Sequence, residues 1–186
     1  MGTIFALLLL ILGIVSYFIT GQAPIDAWGH ALLTPTNESA TSLDDKVDRL
    51  NLEIDEADPG ELLYLTVTEQ EATSKLHCLC RDGNISFTMK HPQIYFNEGV
   101  IQAYADIDVV IDIQVAFELT LNVTDGKLDA TPNDLHLGKI PIPKSLVNTV
   151  ITALERKLEE RSEEFTVTFK DITIHDGAVM VTLEKK

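Results

Sequence analysis

The chain has 186 residues, 45% of them hydrophobic and 23% charged, with a formal net charge of −15 at pH 7. This length suits one domain of ordinary size plus an appendage. The acidic balance argues against nucleic acid as a partner, because phosphate binding requires clustered lysine and arginine. It also argues against a domain that lies flat on an anionic lipid surface, so we interpret the charge mainly as a source of solubility.

The first twenty residues form an apolar segment. Gly13 and Ser16 are the interruptions between Ile4 and Ile19, and a bilayer requires about 17–25 residues to be spanned. A cleaved signal peptide is the alternative. However, no positive residue precedes the apolar core, and Pro24 follows the small-residue site. We therefore expect an uncleaved transmembrane anchor at 1–20, with a cytoplasmic N-terminus and the rest of this single-pass protein outside the cytoplasm.

Residues 21–60 have the character of a stalk or linker. Pro24, Gly29 and Pro35 interrupt its first half. Ser42 is the expected N-cap of a short helix that ends before Asp58-Pro59-Gly60. Its apolar positions have helical spacing: Leu43, Val47, Leu50 and Ile54. This helix either packs on the following domain or extends the stalk.

A single domain is predicted over 61–186. It opens with a strand that alternates through Leu63, Leu65 and Val67. Thr68 and Glu71 have the spacing of a capping box and predict a short helix. We expect that helix to bury Ala72, Leu76 and Leu79. The next strand carries Ile85, Phe87 and Met89, breaks at His91-Pro92, resumes at Ile94 and Phe96, and turns at Asn97-Glu98-Gly99.

A long alternating run then occupies 101–123. Every odd-numbered residue in it is apolar and most even-numbered residues are polar, which is the period of a β-strand. No Gly or Pro interrupts it between Gly99 and Gly126. Because an ordinary strand has about 5–6 residues, the run must curve strongly or turn back without losing its parity. Either way it offers one continuous apolar wall.

The remaining elements complete an α+β pattern. Thr124-Asp125-Gly126 predicts a tight turn, and the strand from Leu128 to Leu137 carries Pro132 at an edge or bulge. A stiff connection leads to an amphipathic helix from Pro143 to about Arg161. The terminal hairpin turns at Asp176-Gly177, and a slip of parity between Phe169 and Ile172 predicts a bulge. We expect a long, highly curved antiparallel sheet wrapped around the long helix, preceded by the transmembrane helix.

Clusters of reactive side chains are few. His77, Cys78 and Cys80 are close in sequence, but three soft ligands without a second cysteine pair favour a structural role over a metal. Asp108 and Asp112 share a strand face at about 13 Å, too far for a carboxylate pair, and more simply belong to a solvated outer face. The sequence contains no nucleophile elbow, phosphate loop or zinc-protease motif. We therefore expect no catalytic residue, no metal, no cofactor and no enzymatic activity.

The long apolar wall is the candidate binding site. The predicted helix either fills its concave side and leaves a dry core, or shares it with a hydrophobic ligand. Small Ala103 and Ala105 leave room at one end, which favours a cavity. The expected lining comprises Ile107, Val109, Ile111, Ile113, Val115, Phe117, Leu119, Leu121, Val123, Val147, Val150, Ile151, Leu154 and Leu158.

Three short motifs carry a resemblance to a known family. They are Val67-Thr68-Glu69-Gln70-Glu71, Gly138-Lys139-Ile140-Pro141-Ile142-Pro143 and Asp176-Gly177. Together with the N-terminal apolar segment and the order of elements over 61–186, they resemble the YpmS-like bacterial membrane-anchored proteins. More distantly, the layout is similar to tubular lipid-binding (TULIP-type) domains. The resemblance implies binding of lipid or another hydrophobic ligand at the cell envelope, and it implies no catalytic residues.

These observations give two functional hypotheses. The first is a membrane-anchored extracytoplasmic module that binds lipid or a hydrophobic small molecule in an apolar groove or tunnel. The alternative is an envelope scaffold or assembly protein with a dry core and protein partners. An unpaired sheet edge or a large exposed apolar patch would favour the alternative.

Overall fold

Two antiparallel sheets and two helices make up the described part of the chain. The computed structural model describes residues 30–82, 88–108, 112–138, 140–141 and 166–186. The α+β class with antiparallel sheets is thereby confirmed. The elements in chain order are α1 (Asn37–Glu56), β1 (Leu62–Thr68), α2 (Glu69–Arg81), β2 (Thr88–Asn97), β3 (Val100–Asp108), β4 (Asp112–Thr124), β5 (Lys127–Leu137), β6 (Ile140–Pro141), β7 (Val167–His175) and β8 (Ala178–Lys185).

The three-stranded sheet has the order β1-β8-β7, and the five-stranded sheet has the order β2-β3-β4-β5-β6. Neither helix in the described ranges has the length and apolar character that crossing a bilayer requires. The segment 1–20 and the helix predicted from Pro143 to Arg161 lie outside those ranges.

The N-cap of helix α1 lies six residues before the predicted cap, Ser42. Thr36 is the N-cap, and its hydroxyl accepts a hydrogen bond from the Ser39 amide at 3.1 Å. Ser42 lies inside the helix and donates to Glu71 instead, at 2.7 Å. The helix packs on the domain, because Leu50 forms a buried cluster with Leu63 and Leu183. Of the two alternatives for this helix, the structure has the packed one.

Helix α2 begins with the predicted capping box, in which Thr68 and Glu71 satisfy each other's backbone amides. Of the predicted buried face, Ala72 packs half-buried against the core around Phe96, but the fully buried residues of the helix are different ones. Thr73 and Ser74 have no exposed surface, whereas Leu76 and Leu79 are half-buried. The reason is the neighbour of the helix, which is an edge strand with unpaired backbone groups rather than an apolar surface.

The outer edge of β2 is closed by side chains of α2. The Thr73 hydroxyl accepts a hydrogen bond from the Ile94 amide at 2.8 Å and donates to the Ile94 carbonyl at 3.2 Å. The Phe96 amide donates to the Glu69 carboxylate at 2.7 Å. A threonine hydroxyl thus replaces a paired strand, which explains why this helix buries polar residues.

The long alternating run turns back on itself. Strands β3 and β4 form an antiparallel hairpin in which Ile101 faces Leu119 and Ile107 faces Ile113. The structure therefore confirms the alternative in which the run reverses and keeps its parity. Asp108 and Asp112 are directly opposite each other in this register, so the predicted separation of about 13 Å, which assumed one extended strand, is wrong.

The turns of the five-stranded sheet lie against β7. The Phe169 amide donates to the Gly126 carbonyl, and the Gly99 amide donates to the Ile174 carbonyl, each at 3.2 Å. A core around Phe96, Ile174 and Val179 fills the space behind these contacts. The bulge predicted from the slip of parity is confirmed, since the register of β7 shifts between Phe169 and Asp171.

Candidate functional site

The apolar wall extends over more strands than the alternating run. In the first part of β5, the even-numbered residues pair with the odd-numbered apolar residues of β4 and share their face of the sheet. Leu128, Ala130 and Pro132 lie opposite Val123, Leu121 and Leu119. After Pro132 the register shifts by one residue, at Asn133, and Leu135 and Leu137 then face Phe117 and Val115. The bulge predicted at Pro132 is confirmed, and its consequence is that both halves of β5 present apolar residues to the same face.

Strand β2 uses the same device. Met89 pairs with Ile107, whereas Ile94 pairs with Ala103 and Phe96 with Ile101. The register shifts between Lys90 and Gln93, where His91 has a left-handed backbone with φ 48°. We call the resulting surface the apolar face; it comprises the odd residues of β3 and β4 and their partners on β2 and β5. In the sequence, the apolar residues change between odd and even positions around His91-Pro92 and around Asn133. This change is the signal that could have assigned β2 and β5 to the apolar face.

The predicted lining residues share this apolar face where they are described. Ile107, Ile113, Val115, Phe117, Leu119, Leu121 and Val123 are all half-buried. At one end, Ile101 and Leu121 pack into the core shared with the three-stranded sheet. Lining residues outside the described ranges are Val109, Ile111, Val147, Val150, Ile151, Leu154 and Leu158.

On the opposite face of the five-stranded sheet, a polar layer is buried around β2, β3 and the middle of β4, whereas Asn122 farther along β4 is exposed. Gln102 is 5% exposed and Ala116 is fully buried. The solvated outer face expected for Asp108 and Asp112 stays a prediction, because the burial of these two side chains lies outside what the structure describes. The Gln102 amide donates to Glu118 at 2.8 Å, and the Asn133 amide donates to the other oxygen of Glu118 at 3.2 Å. The even residues are polar because they bond to one another and to the chain that covers them.

That covering chain is residues 30–36, which we call the strap. The His30 ring stacks on Tyr95 with centroids 4.3 Å apart, and its Nε2 lies 3.0 Å from Gln102 Oε1. The Gln93 side chain accepts from the Leu33 amide at 2.8 Å and donates to the Leu33 carbonyl at 3.1 Å. Residues 30–36 of the predicted stalk region are therefore docked against the sheet.

The strap continues onto α2. The Gln70 amide donates to the Thr34 carbonyl at 2.7 Å, and the Thr36 amide donates to the Ser74 hydroxyl at 3.1 Å. Ser74 is fully buried beneath this contact. The buried face of α2 thus has two polar contacts: Ser74 hydrogen-bonds to the strap, and Thr73 hydrogen-bonds to the edge of β2.

Glu71 joins α1, β1 and α2 at a single carboxylate that is 6% exposed. One oxygen accepts from Ser42, and the other accepts from Lys46 at 2.8 Å and from the Thr68 amide and hydroxyl at 3.0 Å each. Burial alone raises the pKa of Glu71, but these bonds outweigh burial and lower its pKa from 4.5 to about 2. The charge is therefore a structural clamp between three elements.

The sulfur cluster on α2 is spread along the helix. Cys78 and Cys80 are both free and half-buried, and burial raises the pKa of the Cys80 thiol. The Cys78 thiol donates to Asn37 Oδ1 at 3.7 Å. Within the ranges that the structure describes, no group of three or more His, Cys, Asp or Glu side chains is arranged to hold a metal ion.

The chain matches no protein-family model and no curated protein. The geometry itself defines the class of molecule: an α+β protein with an apolar sheet face on one side and a hydrogen-bonded polar layer on the other.

Proposed function

We propose that this protein is a membrane-anchored extracytoplasmic module that binds lipid or another hydrophobic ligand on its apolar face. The observation that carries the proposal is the pair of register shifts, one in β2 and one in β5, at which the apolar residues change between odd and even positions. Both bulges keep apolar residues on one side of four consecutive strands. A surface of this kind binds by burying apolar area and offers few polar contacts. It therefore suits a class of hydrophobic ligands and does not select one particular ligand.

The energy available from such a surface is sufficient for an acyl chain. Removing one methylene from water is worth about 0.8 kcal/mol, so about ten methylenes contribute about 8 kcal/mol before the cost of association. In the proposed arrangement the sheet curves around the helix predicted from Pro143 to Arg161, and the ligand lies between the two.

The strap supports a position close to the membrane. If residues 1–20 span the bilayer, residues 21–29 connect the anchor to the docked His30. At about 3.5 Å per residue, those nine residues reach at most about 30 Å. The apolar face would then stay within a short distance of a lipid surface, which is a ready source of hydrophobic ligand.

Native mass spectrometry tests the proposal. The full chain is expressed with a protease site inserted between residues 21 and 29, isolated from membranes and cut, so that the folded part is studied without detergent. We expect a bound lipid at defined stoichiometry, identified after extraction. A protein that carries no lipid, and stays bare after incubation with mixed phospholipid vesicles, would contradict ligand binding.

A matched pair of variants locates the site. Ile113→Gln places a polar amide on the apolar face, and we expect lipid occupancy to fall at least about tenfold. Asn122→Gln changes an exposed residue on the opposite face of the same strand and should leave occupancy unchanged. Equal losses in both variants would place the lipid elsewhere.

The alternative proposal is an envelope scaffold with protein partners. One observation favours it: among the described residues, the outward backbone groups of Leu62 and Tyr64 at the edge of β1 have no hydrogen-bond partner. A protein that carries no lipid in the experiment above would make this alternative the better reading.

A further inference from the structure

The outer edge of β1 shows which of its residues point away from the sheet. The Lys185 amide donates to the Glu61 carbonyl at 3.0 Å, so odd-numbered residues bond to β8 and even-numbered residues point outward. Two side-chain contacts agree with this direction. Lys46 donates to the Thr66 carbonyl at 2.9 Å, and the Thr68 amide donates to Glu71 at 3.0 Å.

The middle of this edge is left open. Strand β2 is closed by Thr73 and Glu69, and the edge of β7 receives the two turns described above. In the described ranges, by contrast, the outward backbone groups of Leu62 and Tyr64 meet no partner. Their side chains are 45% and 56% exposed. An open edge with exposed apolar side chains is a template for another strand.

The open stretch is symmetric about Tyr64. A second β1 strand running antiparallel would place Tyr64 opposite its twin and Leu62 opposite Thr66, so that all three outward residues meet outward residues. The Tyr64 pair would exchange two backbone hydrogen bonds. The Thr66 carbonyl has a second lone pair, and can accept a new amide while it keeps Lys46.

The charges beside the edge are also self-complementary. Helix α1 runs antiparallel to β1, because Lys46 bonds to Thr66 at one end while the Ile54 carbonyl accepts from Lys185 at the other. A groove of about 200 Å³ between α1 and β1 is lined in part by Lys46, Arg49 and Glu53. A two-fold axis through Tyr64 would bring the cationic end of one groove toward Glu53 of the other copy.

We propose that β1 is a self-association surface, through which two copies of this chain pair antiparallel about Tyr64 into one six-stranded sheet. This inference does not depend on ligand binding, since the apolar face belongs to the other sheet. A closed two-fold contact also uses up the open edge, so association stops at the dimer.

Sedimentation equilibrium of the full chain in a density-matched detergent tests the inference, with Tyr64→Pro as the main variant. Proline removes the outward amide of residue 64 without removing a bond to β8. Losing two hydrogen bonds of about 1 kcal/mol each should raise the dissociation constant at least about 30-fold. Tyr64→Thr keeps the amide and should remain a dimer.

Three results would overturn the inference: a monomeric parent chain at about 100 μM, a Tyr64→Pro variant that associates like the parent, or a Tyr64→Thr variant that is as monomeric as the proline variant. If Tyr64→Pro lowers the melting temperature, its effect on association could come from a destabilised fold, and the charged residues Arg49 and Glu53 then provide the test. Arg49→Glu and Glu53→Arg should each weaken association, and the double variant should restore it. Failure of that rescue would also count against the pairing.

Discussion

The Glu71 clamp gives a prediction about acid stability. Glu71→Gln keeps the size of the side chain and removes its charge, while Lys46 is exposed enough to be hydrated when it loses its partner. The pKa of Glu71 falls from 4.5 to about 2 on folding. A difference of about 2.5 pH units, at about 1.4 kcal/mol each, corresponds to about 3.5 kcal/mol of folding free energy.

The direction of the pH dependence follows from the lowered pKa. The folded state binds this proton more weakly than the unfolded chain, so the stabilisation is complete above about pH 5 and is lost as the pH falls from 4.5 toward 2. We therefore expect the parent to exceed Glu71→Gln by about 3.5 kcal/mol in unfolding free energy at pH 7. The two proteins should become nearly equal at about pH 2.

The difference in unfolding free energy between the parent and Glu71→Gln is measured by urea unfolding, followed by far-UV circular dichroism, at several pH values between 7 and 2. The sample is the protein cut at the protease site inserted between residues 21 and 29. Glu56→Gln is the matched control, because Glu56 is exposed at the end of α1, and it should change stability by less than about 0.5 kcal/mol. A difference between parent and Glu71→Gln that stays constant from pH 7 to 2, or stays below about 1 kcal/mol, would refute the reasoning.

Two further predictions concern the sheet edges, and both are measured by urea unfolding. Thr73→Val leaves the Ile94 amide and carbonyl buried without a partner and should cost about 2–4 kcal/mol, whereas Thr73→Ser should cost less than half as much; equal costs would mean that the hydroxyl does not close the edge. Gly126→Ala, at φ +78°, places its Cβ against the Thr168 methyl, while Gly99→Ala, at φ +91°, meets open space. We expect the Gly126 variant to lose at least about 1 kcal/mol more, and similar losses would show that Thr168 moves aside freely.

Strand parity was the most informative feature of the sequence. The odd-numbered apolar residues of β3 and β4 do share one face, and the slip before Ile172 does mark a bulge. Both predictions work because side-chain alternation is a purely local property of extended chain. The capping box at Thr68 was predictable for the same reason, since its partners are three residues apart.

What the sequence did not reveal depends on contacts between distant residues. The buried polar face of α2 exists because β2 needs partners for its edge, and nothing near Thr73 indicates that need. Nothing near Gln102 in the sequence indicates that it is buried, because polar side chains usually face water. Here Gln102 faces the strap instead, and the strap lies about seventy residues earlier in the chain.

The closed edges have a consequence for the order of events during synthesis. Helix α2 leaves the ribosome before β2, and the turns at Gly99 and Gly126 leave it before β7, so each of these edges meets its cap as soon as it emerges. Strand β1, by contrast, is synthesised long before its partner. Its ladder partner β8 lies more than a hundred residues later in the chain. The nascent chain must therefore leave β1 unpaired until residues 178–185 have been synthesised, and the long loop that this pairing closes favours slow formation of the β1–β8 ladder.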